Sequence, residues 1–103
     1  MRKKKFNIHT SNGKMISINY EGTFPDVKDT PVFDKNQSRS NPLSFRHGCG
    51  SVIKGLDVGL KGMRVGGERE IKIPAEMGYG KKKNGKIPAN SVLLFYVKLV
   101  KVG

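Results

Sequence analysis

The sequence predicts an α+β fold, an antiparallel sheet wrapped around one short helix, on three observations. Apolar and polar residues alternate with period two over residues 15–20, 68–73 and 92–100. Between the first two of these stretches the period changes, because Ile53, Leu56, Leu60 and Met63 are spaced three, four and three apart, as on one face of a helix. No strand–helix–strand–helix alternation demands a parallel sheet, and no internal repeat is present.

Each element has its own signature. Ile16, Ile18 and Tyr20 fall on one face of the first strand and Ser17 and Asn19 on the other, the pattern of a half-buried strand. Residues 22–32 contain Pro25, Asp26, Asp29 and Pro31 and read as a loop, after which Phe33 and Asp34 resume an apolar–polar step. Leu43, Ser44 and Phe45 form a short strand entered just after Pro42, where a missing N–H costs least. The helix should run two to three turns and end at Gly62 or Gly66. Gly55 and Gly59 inside it each cost about 1 kcal/mol relative to alanine, so their spacing of four predicts close approach of the helix backbone to a sheet. In the next strand Glu68, Glu70 and Lys72 oppose Arg69, Ile71 and Ile73, and Pro74 closes it. The last strand is the strongest, with Leu93, Phe95, Val97 and Leu99 on one face and Leu94, Tyr96 and Lys98 on the other. The count is four or five strands and one helix.

At 103 residues the chain supports one hydrophobic core and is too short for two domains. Residues 1–12 read as a basic N-terminal tail and first-strand region, and residues 13–103 as the single folded domain. No apolar run approaches the roughly 20 residues of a membrane span, and the basic start, Arg2 to Lys5, has no apolar stretch behind it to make a secretory signal. No membrane association is expected. Cys49 is the only cysteine, which rules out an internal disulfide and fits a reducing compartment, cytoplasm or nucleus. Together with His9 and His47 it shows none of the paired spacings of a structural zinc site, so no metal is expected.

Twenty Lys and Arg against eight Asp and Glu give a formal charge of +12. Such an excess suits an acidic partner, nucleic acid included, because neutralised phosphates release counterions and drive association. Lys81, Lys82, Lys83 and the N-terminal basic tail are the candidate contacts, and a merely solvated face is the other reading of the same clusters.

Covalent chemistry finds little support. No Ser or Cys sits in a nucleophile elbow, Cys49 lacks an orienting third group, and neither G-x-G-x-x-G nor a Gly-Lys-Ser/Thr phosphate loop occurs. Asp34 and Asp57 are the only carboxylates set in apolar sequence. Asp57 is read as a solvated face residue of the helix, and Asp34 as the partner of a structural cation such as Arg39 or a site residue.

Tyr20-x-Gly22, Phe33-Asp34, Gly50-Ser51-Val52-Ile53-Lys54-Gly55, Gly62-Met63-x-Val65-Gly66, Tyr79-Gly80, Ile87-Pro88 and Leu93-x-Phe95-x-Val97 together resemble the FKBP family of peptidyl-prolyl cis/trans isomerases. Each motif alone is weak, but in this order and spacing, over about residues 13–100, they are specific. The resemblance implies the family's five-stranded half barrel curled around one helix, a monomer without cofactor, X-Pro segments of proteins as substrates, and tacrolimus or rapamycin as ligands. It implies catalytic roles for Tyr20, Phe33, Asp34, Ile53, Tyr79 and Phe95, with the Ile53 N–H and the Tyr79 hydroxyl donating to substrate carbonyls. It further implies substrate binding by Arg39, which would orient Asp34, and by Leu43, Phe45, Val52, Leu56 and Ile87. Two positions depart from the pattern: Leu56 stands where tight macrolide binders usually carry Trp, and Leu43 where Phe is common. Each change removes aromatic area, worth about 0.5 to 1.5 kcal/mol beyond burial, so weaker macrolide binding and slower turnover are expected. A weakly active binding module and a nuclear, nucleic-acid-associated protein are the alternative readings.

Overall fold

The computed structural model describes residues 10–25, 32–36, 38 and 40–103; Arg39 and the basic cluster Arg2 to Lys5 lie outside the described residues. The elements are β1 (Met15–Thr23), β2 (Asp34–Lys35), β3 (Leu43–Arg46), α1 (Lys54–Gly59), β4 (Glu68–Ile73) and β5 (Leu93–Val102), with a 3-10 turn at Ala75–Met77 before β5. All strand pairings are antiparallel. β5 is the centre, paired with β1 on one side and β4 on the other, and the far edge of β1 carries β3 at one end and β2 at the other. The sheet stays open, and the predicted α+β class and five-strand count hold.

Alternation along the strands builds the core. Ile16 and Ile18 from β1, Ile71 and Ile73 from β4, and Leu93, Phe95, Val97 and Leu99 from β5 are all buried. Full burial of one such side chain contributes about 1.5 to 3 kcal/mol. From the helix side Leu56, Leu60 and Met63 close the layer, as their spacing predicts.

The helix is shorter than its apolar spacing implies, six residues rather than two to three turns. Its last turn tightens, with the Lys61 N–H bonded to the Val58 carbonyl and the Met63 N–H to that of Leu60, and Gly62 then turns the chain at φ 79°. The Arg69 guanidinium, on the helix side of β4 as alternation predicts, donates to the carbonyls of Gly59 at 2.7 Å and Lys61 at 2.9 Å.

The predicted close approach is present. A Cβ on Gly55 would collide with Ile73, and one on Gly59 would lie 2.6 Å from Ile71 Cγ2. Gly55→Ala is therefore expected to cost about 1 to 3 kcal/mol through overpacking, against the roughly 1 kcal/mol that helix propensity alone would return. Chemical denaturation checks this, and a stabilised variant would show that the helix does not need its glycine.

Two polar anchors sit beside α1. His47 is fully buried. Its Nδ1 lies 2.7 Å from Thr10 Oγ1 and its Nε2 2.7 Å from the Asp57 carbonyl. The tautomer with hydrogen on Nε2 donates to that carbonyl and accepts from Thr10, satisfying both ring nitrogens. Thr10, inside the segment assigned as tail and first-strand region, is itself buried. The Asp57 side chain corrects the expectation of a solvated face residue: its two carboxylate oxygens accept the N–H groups of Gly48 at 2.9 Å and Gly50 at 3.1 Å. A carboxylate can hold two donors of a tight loop at once, and here it fixes the β3–α1 connection that leads into Val52 and Ile53.

Candidate active site

Gly22 allows the site to form. Phe33 Cζ would lie 2.6 Å from a Cβ at this position, so only glycine lets the Phe33 ring fold down over β1, while the Phe33 N–H donates to the Gly22 carbonyl at 2.9 Å. The Phe33 ring meets Phe95 edge-on with centroids 5.7 Å apart, and the Tyr20 ring lies tilted 6.1 Å from Phe95. Edge-on and tilted contacts at such distances suit the quadrupoles of aromatic rings.

The polar edge of this cluster is the Asp34 carboxylate, bonded to one phenol and felt electrostatically by a second. Tyr20 donates its hydroxyl to Asp34 Oδ1 at 3.2 Å. Burial, followed by the negative charge of Asp34 and that hydrogen bond, pushes the Tyr20 phenol up to about 12. The Tyr79 phenol is also raised, first by burial and then by the Asp34 charge. Both phenols therefore stay protonated, as hydrogen-bond donors, throughout the neutral range. Because the folded-state value of Tyr20 lies above the unfolded value near 10, its contribution to stability is complete below pH 10 and declines as pH rises from 10 towards 12. The stability difference between the native protein and Tyr20→Phe should accordingly be constant from pH 6 to 9 and shift against the native protein above pH 10. Paired denaturant melts check this, and a difference independent of pH through 11 would contradict it.

Leu56 lies buried on α1, Ile87 is buried on the loop side, and Val52, Ile53 and Tyr79 pack half-buried against the same core. Mutual backbone hydrogen bonds between Asn84 and Ile87 make the turn that presents Ile87 inward. The N–H of Ile53 and the hydroxyl of Tyr79 donate to none of the described residues. The structure thus brings Tyr20, Phe33, Asp34 and Phe95 together, with Tyr79 within the field of the same carboxylate, Leu56 and Ile87 in the core beneath, and Val52 and Ile53 packed half-buried against that core. Phe45 is a core residue opposite Ile16, whereas Leu43 is 36% exposed opposite Ile18 and stands apart from the core cluster. The expected Arg39 partner of Asp34 lies outside the described residues.

Sequence reasoning missed two contributors. Asn36 Oδ1 accepts the Tyr20 N–H at 2.8 Å, and Asn36 Nδ2 donates to Asn19 Oδ1 at 2.7 Å and to the Ser38 carbonyl at 2.9 Å. That network ties the chain beyond β2 to β1 beside the Tyr20 backbone; an asparagine in a polar loop is the only sign of it in sequence. Phe24, read as part of a loop, places its ring 5.1 Å from Phe33.

Residues 7–100 match the family model described as FKBP-type peptidyl-prolyl cis-trans isomerase. The chain belongs to this family. It is 50% identical over 91 residues to peptidyl-prolyl cis-trans isomerase FKBP53 of Arabidopsis thaliana, covering 87% of this chain and 18% of that protein. It is 40% identical over 98 residues to FK506-binding protein 2 of Debaryomyces hansenii, covering 95% of this chain and 70% of that one. Among solved structures, the crystal structure of AtFKBP13 aligns with a TM-score of 0.83 and 34% identity, over 95% of this chain and 86% of that chain. FkpA of Escherichia coli aligns at 0.76 with 39% identity, over 91% of this chain and 42% of its own. The chain spans about a fifth of the length of several of the curated relatives it matches, 18% of the Arabidopsis protein and 22% of FK506-binding protein 4 of Saccharomyces cerevisiae.

Proposed function

We propose that the chain accelerates cis/trans rotation of X-Pro bonds in protein substrates, with the prolyl ring seated over Leu56 among Tyr20, Phe33 and Phe95. The observation that carries this reading is the cluster of the Tyr20, Phe33 and Phe95 rings with the Asp34 carboxylate hydrogen-bonded to the Tyr20 phenol at its edge. Rotation breaks no covalent bond. Its barrier of about 18 to 20 kcal/mol is the amide resonance lost as the C–N bond twists. A twisted amide carries less charge separation than a planar one, so an apolar wall favours it over the ground state, the differential binding that catalysis requires. The N–H of Ile53 and the hydroxyl of Tyr79, without an acceptor among the described residues, are the donors available to hold the flanking carbonyls. Lowering the barrier by about 8 kcal/mol would correspond to roughly a millionfold in rate.

Tacrolimus- and rapamycin-type macrolides bind at the same place, with affinity reduced by the aliphatic floor at Leu56. Leu43, being exposed on β3, contributes less to that reduction than Leu56. A protease-coupled assay on a short X-Pro peptide tests the isomerase reading: the expected result is a rate well above the uncatalysed exchange of about 10 to 100 s, and a rate equal to the no-enzyme control sinks it. Lys81, Lys82 and Lys83 are all exposed on the loop after Tyr79, which supports a second role for the basic surface in binding nucleic acid. Its affinity should fall steeply with added salt; salt-independent binding would argue against it.

A further inference from the structure

We infer that the chain carries a second substrate subsite beside the aromatic cluster, which takes an apolar or aromatic side chain two or three residues away from the prolyl ring in the same peptide. The inference rests on the isomerase reading above. An open groove of about 440 Å³ runs between the end of β1 and the segment before β5, lined by Phe24, Pro25, Lys86, Pro88, Ser91 and Val92. Its walls are mostly apolar, and Lys86 is the one charged residue lining it among the described residues.

The groove adjoins the proposed proline site through two elements. Phe24 lines it and stacks on Phe33, which in turn meets Phe95. On the opposite wall Lys86 and Pro88 line the groove while Ile87 between them is buried in the core. One face of that short segment therefore serves the proline site and the other serves the groove.

The wall opposite Phe24 is preorganised. The Asn90 N–H donates to the Gly80 carbonyl at 2.8 Å, Ser91 Oγ donates to the Pro88 carbonyl at 2.7 Å, and Asn90 holds φ at 60° to close the turn. A wall already fixed loses little conformational freedom when a ligand arrives.

Distance sets which residue of a substrate can reach it. The ring-to-ring steps from Phe24 to Phe33 and from Phe33 to Phe95 are 5.1 and 5.7 Å, so the two ends are at most about 11 Å apart. An extended peptide advances about 3.3 to 3.6 Å per residue. A side chain over Phe24 then belongs to a residue no more than about three positions from the proline, and since the neighbour that shares the isomerised bond is held at the proline site itself, the second and third positions remain.

The test is a set of X-Pro peptides, from a tetrapeptide to nonapeptides, in which alanine or phenylalanine occupies each of the second and third positions on either side of the proline. The expected result is kcat/KM about fivefold higher for phenylalanine than for alanine at one of these positions, and a ratio near one in Phe24→Leu. Amide shifts of Ser91 and Val92 should move with the phenylalanine nonapeptide that shows the preference and not with a tetrapeptide that carries alanine beside the X-Pro pair. Equal rates for alanine and phenylalanine at all four positions, with the tetrapeptide still accelerated, overturn the subsite. So does a preference that survives intact in Phe24→Leu with those amides unmoved. Loss of acceleration on the tetrapeptide itself would instead overturn the isomerase reading.

Discussion

Replacing Phe95 by alanine is expected to cost about 3 to 5 kcal/mol of folding stability and to remove X-Pro acceleration together. Phe95 is only 3% exposed, lies near the start of the central β5, and is the ring that both Tyr20 and Phe33 contact. The loss combines a cavity in the core with two ring contacts, each worth about 0.5 to 1.5 kcal/mol beyond burial. For a domain whose total stability is about 5 to 15 kcal/mol, the variant should melt well below the native protein yet fold at low temperature, where its isomerase rate can be read. A loss under 1 kcal/mol, or a folded variant with native turnover, would contradict the placement of Phe95 at the base of the site.

The second large effect concerns Leu56, in two directions. Leu56→Ala should cost about 2 to 5 kcal/mol, because the side chain is buried on the face of α1 that packs into the core. Leu56→Trp should raise macrolide affinity and turnover by about two- to tenfold, the equivalent of about 0.5 to 1.5 kcal/mol of aromatic packing. Calorimetric titration with rapamycin and the coupled assay, run on one sample, measure both. Unchanged affinity in a Leu56→Trp variant of native stability would show that the floor residue does not limit binding.

Much of the fold is legible in the sequence because the relevant signals are local. The period-two runs of β4 and β5 give the buried face of each and the limits of β4, while β5 starts one residue later and runs two residues further than its run of 92–100. Gly55 and Gly59, four apart on a short helix, foretell the contact with Ile73 and Ile71. The helix length was not legible, since Leu60 and Met63 keep the helical spacing while the backbone between them has already tightened into a turn. Polar partnerships escape for a different reason. His47 finds Thr10 across 37 residues, Asp57 reaches back to Gly48 and Gly50, and Asn36 closes on Tyr20 across 16. A hydrogen bond across such separations leaves no periodic trace, and exposed or buried identity cannot be read from the residue type alone. The aromatic members of the site were legible through the family motifs, whereas Phe24, which extends their row, stands in a loop and belongs to no motif.

Two-dimensional exchange NMR with isotope-labelled protein measures in one experiment where an X-Pro peptide is rotated. The predicted result is accelerated cis/trans exchange of the peptide accompanied by shifts of the Ile53 amide and of the Tyr79 and Phe95 ring resonances. Absence of acceleration, or acceleration with shifts confined to the Lys81, Lys82 and Lys83 loop while Ile53 and Phe95 stay unmoved, would contradict the assignment of catalysis to the aromatic cluster over Leu56.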